Sequence, residues 1–154
     1  MTVPDRAADE LALRRLSALY AAGADRRGGD AYAGVFLPDA HMRVYRLPEV
    51  DTAMTDMTGH DELAKVPGML RKLYARTFHF VGQCLYEIGD GEATGEVYCQ
   101  AHHLTTDRHG GTDYVMHMRY QDTYGRDDHG DWKIAERVAY IDWTETRAAN
   151  PPGT

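Results

Sequence analysis

Cysteine is scarce in this chain: 154 residues contain two, Cys84 and Cys99. That is too few for a disulfide framework, so a pair of buried, reduced thiols is expected. Basic runs are missing as well. No Lys/Arg block exceeds two in a row, and 24 acidic against 17 basic residues leave a formal net charge of −7. Nucleic acid and anionic membrane surfaces are therefore not expected as partners. No apolar run approaches the roughly 20 residues of a membrane span, and the polar opening MTVPDRAADE does not read as a signal peptide, so a cytoplasmic location is expected. The eight histidines invite a metal, yet no His-x-His pair, helical His-x-x-x-His or Cys-x-x-Cys spacing accompanies them, and no metal is expected. A Gly-rich phosphate loop and a Gly-x-Ser-x-Gly elbow are also lacking, and no cofactor is expected.

What is present is a long hairpin. Thr77 to Thr106, TFHFVGQCLYEIGDGEATGEVYCQAHHLTT, carries aromatic and β-branched residues on both arms around the turn Ile88-Gly89-Asp90-Gly91-Glu92. Side chains alternate between the two faces of a strand. If paired residue numbers sum to about 180, His79 lies opposite Ala101, and His103 sits one pair further along on the same face. Val81, Cys99 and Ala101 then supply an apolar wall beside two imidazoles. His102 turns to the other face, with Phe78, Phe80 and Tyr98. In this register Cys84 and Cys99 fall on opposite faces. A slip of one residue would separate the histidines.

A chain of this length suits one domain, expected over residues 1–147, with 148–154 (Asn-Pro-Pro-Gly included) as a tail. From Asp5 to about Arg26 the apolar spacing of three and four predicts a helix. Asp30 is placed as the cap of a short second helix, Ala31 to about Leu37. HMRVYR, residues 41–46, reads as a short strand with Met42 and Val44 on one face and Arg43 and Tyr45 on the other. Leu47 to Thr58 reads as a loop. A third helix opens at Thr58-Gly59-His60-Asp61 and runs to about Tyr74, split near Pro67-Gly68. Thr112 to Tyr124 and Trp132 to Thr144 complete a four-stranded antiparallel meander. Helices followed by such a meander predict an α+β fold, a curved sheet wrapped over helices.

The segments LYAAGADRRGGDAYAGVFLPDA, HFVGQ, EVYCQAHHL, MRYQDTY and WKIAERVAYIDWTE resemble, in order and spacing, the SnoaL-like group of the nuclear transport factor 2-like superfamily, within its scytalone dehydratase-like branch. The resemblance implies a cone-shaped α+β barrel, its N-terminal helices packed in a strongly curved, mostly antiparallel sheet round an apolar pocket. Carried over by motif, it assigns catalytic roles to Asp25, Tyr45, His79 and His103, with Asp25 and His103 acting as a pair. It also implies a homodimer or homotrimer. Ala24 stands where scytalone dehydratase has a tyrosine, and Tyr114 and Met116 stand where its third long strand has small polar residues.

A histidine near neutral pKa serves as a base when a carboxylate fixes its tautomer. His103 is therefore expected to remove a proton next to a carbonyl, while His79 and Tyr45 steady the oxyanion. Tyr20, Tyr114 and Met116 are expected to join Val81, Cys99 and Ala101 in lining a site for a small apolar oxygenated ring compound. The expected activity is that of a cofactor-independent lyase or isomerase. An aldol-type cyclase, or a non-catalytic accessory subunit like those of ring-hydroxylating oxygenases, remains an alternative.

Overall fold

The computed structural model describes residues 3–108 and 110–150. Helix α1 (Val3–Ala22) carries Leu13, Leu16 and Tyr20 into the core at helical spacing. It then widens into a π-helical turn, Gly23–Arg27. At Gly23 a Cβ would lie 2.8 Å from the Cα of Tyr32, so only glycine lets the helix end approach the next segment this closely. Gly28 breaks the helix at φ 93°, a left-handed backbone that glycine tolerates. Helix α2 (Gly29–Ala33) comes directly after it.

Strands β1 (Phe36–Arg46) and β2 (Thr55–Thr58) come next, then helices α3 (His60–Leu63) and α4 (Val66–Leu73). The four long strands close the chain: β3 (Arg76–Ile88), β4 (Glu92–Asp107), β5 (Gly110–Arg126) and β6 (Trp132–Ala149). In the six-stranded sheet the order is β2-β1-β6-β5-β4-β3. The last four strands form the expected antiparallel meander, and β1 adds in parallel to β6. The sheet curves round α1 without closing, so β2 and β3 are its edges. This is the α+β fold anticipated from the order of the elements, in the cone shape that the family resemblance implies.

Several boundaries differ from expectation. The second helix begins at Gly29 and ends at Ala33, with Gly28 rather than Asp30 at its cap, and Leu37 belongs to β1. Part of the expected loop, Thr55–Thr58, pairs with His41–Val44 as β2. The third helix breaks at Ala64-Lys65, ahead of Pro67, which sits in the first turn of α4 where its missing N–H costs nothing. The final strand runs through Ala149, paired with Gly111, into the stretch expected to begin a tail, while residues 151–154 lie outside the described residues.

Registers agree with the sum of 180 at the histidine end: His79 pairs with Ala101, Phe78 with His102 and Thr77 with His103. Between Val81 and Cys84 the ladder shifts by a bulge. An extra residue reverses the parity of the strand beyond it, so Cys84 joins Cys99 in the core rather than facing away from it; both thiols are free. The outer face keeps Phe78, Phe80 and Trp143 exposed, with Trp143 stacked 4.3 Å from His117. Among the described residues no helix is long and apolar enough to cross a membrane.

Deep in the cone Arg137 and Asp122, both fully buried, form a two-point ion pair of 2.8 and 2.6 Å. The Tyr124 hydroxyl donates to Asp122 at 2.7 Å, and the guanidinium lies between the rings of Tyr20 and Tyr120 at 4.2 and 4.1 Å. Helix α1 is thereby tied to β5 and β6. Removing one partner of a buried pair strands the other's charge, at a cost of about 3–5 kcal/mol. Asp122→Ala should lose stability of that order in urea denaturation, far more than an exposed pair such as Glu10–Arg14 contributes.

Candidate active site

Asp25 sits in the π-helical turn at the end of α1, where the close packing at Gly23 brings it against edge strand β3. An edge strand has backbone N–H groups with no neighbouring strand to bind them. Asp25 takes one of these: the His79 N–H donates to Oδ2 at 2.9 Å. Its Oδ1 accepts the Thr77 hydroxyl at 2.9 Å and His79 Nδ1 at 2.7 Å. Burial alone would raise the Asp25 pKa. The His79 ring, the backbone bond, the charge on His79 and the Thr77 hydroxyl outweigh it and hold the carboxyl below its ordinary value.

Because a carboxylate only accepts, Nδ1 of His79 carries a hydrogen, so that in the neutral ring Nε2 is the nitrogen with the lone pair. The His79 side chain is 7% exposed and Asp25 17%, so the pair is sheltered yet within reach of a small molecule. The imidazole stands edge-on to Tyr20, 6.3 Å between centroids, which locks it from the helix side.

His103 lies 6.0 Å from His79, ring to ring, and is 4% exposed. Its Nδ1 donates to the Tyr114 carbonyl at 3.2 Å, which leaves Nε2 as an acceptor in the neutral ring. Burial, reinforced by the neighbouring His79, pushes its pKa below 6.5. Tyr74 packs 4.6 Å from it and Tyr114 6.2 Å, and Arg46 donates to the Tyr114 hydroxyl at 2.6 Å.

The structure brings most of the expected residues together on the inner face and corrects two assignments. Asp25 is bonded to His79, not to His103. The reason is strand position: β4 is internal and its backbone is paired on both sides, whereas β3 is an edge strand whose N–H groups are free to meet the helix end. Tyr45 faces outward, stacked 5.8 Å from Tyr140, beside the outward Arg43–Glu136 pair. Its neighbour Arg46, in the same parity as Met42 and Val44, projects inward instead.

Val81, Cys99, Ala101, Tyr114 and Met116 share the inner face with the histidines, Cys99 and Ala101 fully buried behind them. Tyr20 is core as much as wall, 8% exposed. The residues that sequence reasoning passed over are Thr77, Tyr74 and Arg46. Thr77 carried a signal, two positions before His79 and therefore on its face. Among the described residues no three His, Cys, Asp or Glu side chains gather as a metal site would need.

The curved, unclosed sheet over its N-terminal helix has the cone-shaped α+β fold of the nuclear transport factor 2-like kind. Residues 5–138 match the SnoaL-like domain family, and the chain belongs to it. Solved structures with the same fold include a type 2 hexachlorocyclohexane dehydrochlorinase, LinA, at TM-score 0.82 and 19% identity, covering 99% of this chain and 100% of that one. The LinA-type3 enzyme of Novosphingobium barchaimii LL02 matches at TM-score 0.78 and 18% identity, covering 98% of this chain and 100% of that one. A scytalone dehydratase-like protein of Novosphingobium aromaticivorans DSM 12444 matches at 0.77 and 22%, covering 99% of each. No curated protein matches in a comparison of sequences.

The depressed pKa of His103 makes stability depend on pH. Between its native value and 6.5 the unfolded chain binds a proton that the folded chain refuses, so stability falls as pH drops through that window. Urea midpoints at pH 7.5 and 5.5 should therefore differ more in the parent protein than in His103→Gln.

Proposed function

We propose that the protein is a cofactor-independent lyase that eliminates H–X across a carbon–carbon bond of a small, apolar, oxygenated ring compound. The observation that carries this is the His79–Asp25 pair. In this reading Nε2 of His79 takes a proton from carbon, the C–H electrons become the new double bond, and X departs with its own pair. The imidazolium formed lies 2.7 Å from the Asp25 carboxylate, which stabilises it and keeps the ring in place. Three hydrogen bonds hold that carboxylate, so the stabilisation requires no rearrangement when charge develops. Where X is hydroxide, the proton on His79 is returned to it and water leaves.

His103 is the worse base of the two, because its imidazolium would be buried beside His79 with no carboxylate in contact. Its role is to accept a hydrogen bond from a substrate hydroxyl through Nε2. Val81, Ala101 and Met116 exclude water from the ring. The names of the structural neighbours, dehydrochlorinase and scytalone dehydratase-like, both denote loss of H–X and support an elimination rather than an aldol closure.

The test is a panel of hydroxylated ring ketones and chlorinated cyclohexanes, monitored by the absorbance of the new double bond or by released chloride. On any compound turned over, His79→Ala and Asp25→Asn should each lower kcat by about 10²–10⁴-fold, the usual share of general base catalysis. Tyr45→Phe, on the outer face, should leave it unchanged. Turnover by His79→Ala within a few-fold of the parent sinks the proposal.

A further inference from the structure

The inner face carries a charge that the elimination chemistry does not use. Five strand arginines meet carboxylates: Arg43 meets Glu136, Arg119 Asp142, Arg126 Asp9, Arg137 Asp122 and Arg147 Asp113. Exposed Arg76 donates to the Ala75 carbonyl instead. Arg46 has no carboxylate either. Half-buried at the inward end of β1, it donates through Nη2 to the hydroxyl of Tyr114, and no acidic side chain among the described residues lies in ion-pair range of it. A partly desolvated guanidinium whose charge nothing offsets is unfavourable by itself.

Two further observations concern what could offset it. The Arg46 guanidinium is seen to use Nη2, for Tyr114, in a side chain that is only half-buried. Its other N–H groups are the ones a ligand on this face would meet. The phenol oxygen of Tyr114 accepts from Arg46, which leaves its O–H free to donate and strengthens it as a donor. Guanidinium fork and phenol together make the donor pattern that binds a carboxylate.

We propose that Arg46 and Tyr114 form a carboxylate subsite at the rim of the cone, so that the substrate is an apolar ring compound bearing a carboxylate remote from the carbon that loses its proton. Tyr114 is 6.2 Å from His103, which is 6.0 Å from His79. Tyr114 also stands two strands across from His79 and one same-face position along. With strands about 4.8 Å apart, the anchor and the base are on the order of 10 Å from each other. That span fits a bicyclic skeleton or one ring with a short acid side chain.

This inference rests on the cone being a substrate pocket, and the test separates it from the fate of the elimination chemistry by using protein that cannot turn over. In His79→Ala, calorimetric titration should give naphthalene-2-carboxylate at least tenfold tighter binding than the isosteric, neutral naphthalene-2-carboxamide. Adding Arg46→Gln should bring the two affinities together, with the far-UV circular dichroism unchanged. A second measurement needs no change at Arg46: raising salt from 50 to 500 mM should weaken the carboxylate and leave the carboxamide alone. Equal affinities in His79→Ala, a preference that survives Arg46→Gln, or a carboxylate affinity indifferent to salt overturns the subsite. A preference that holds while no elimination is found in the parent protein leaves the subsite standing and removes the lyase.

Discussion

The Asp25 carboxylate laid along the free edge of β3 is the contact on which the rest of the site depends. An edge strand must satisfy N–H groups that have no partner strand, and a half-buried carboxylate must find donors to stay ionised. Each need answers the other here. The His79 backbone N–H, the His79 ring and the Thr77 hydroxyl converge on two oxygens, and the bond from Nδ1 sets the tautomer of the imidazole. The geometry of the helix end is part of this. A π-helical turn re-aims Asp25, and glycine at position 23 allows the turn to close on Tyr32.

Charge along the inner face is graded from the bottom of the cone to its rim. At the bottom, Arg137 and Asp122 neutralise each other out of water and serve as a structural tie between α1 and the sheet. In the middle, His79 and Asp25 are paired but lightly exposed, so proton transfer to and from the ring is feasible. At the rim, Arg46 has only a phenol. Cation and anion are matched where water is excluded, and the match loosens where a ligand could enter. Neutral His103 lies between the last two, held by a backbone carbonyl rather than by an acid.

Much of the fold was legible because its signals are local. Alternation over Thr77 to Thr106 placed His79 opposite Ala101 and turned His103 inward and His102 outward. The spacing of Leu13, Leu16 and Tyr20 placed the core face of α1. The bulge after Val81 went unread although Gly82, a lone glycine inside a strand pattern, is its local mark, and it moved Cys84 to the core. Nor was the length of the second helix: β1 claims Phe36 and Leu37 because pairing with β6 is a tertiary gain that local propensity does not see. The inner-face wall of Val81, Cys99, Ala101, Tyr114 and Met116 came from parity, while the partner of Asp25 did not.

By itself the sequence determined the faces. Period two and period three to four decide which side chains turn inward together, because backbone geometry imposes them whatever the rest of the chain does. Arg46 rather than Tyr45 belongs inward on that same rule, given that Met42 and Val44 are core. Only the tertiary structure decided who touches whom across elements. Asp25 had two histidines on one face to choose from, and the choice went to His79 because β3 is an edge with an unpaired N–H and β4 is not. Edge and interior are properties of the assembled sheet, which no stretch of the chain carries alone.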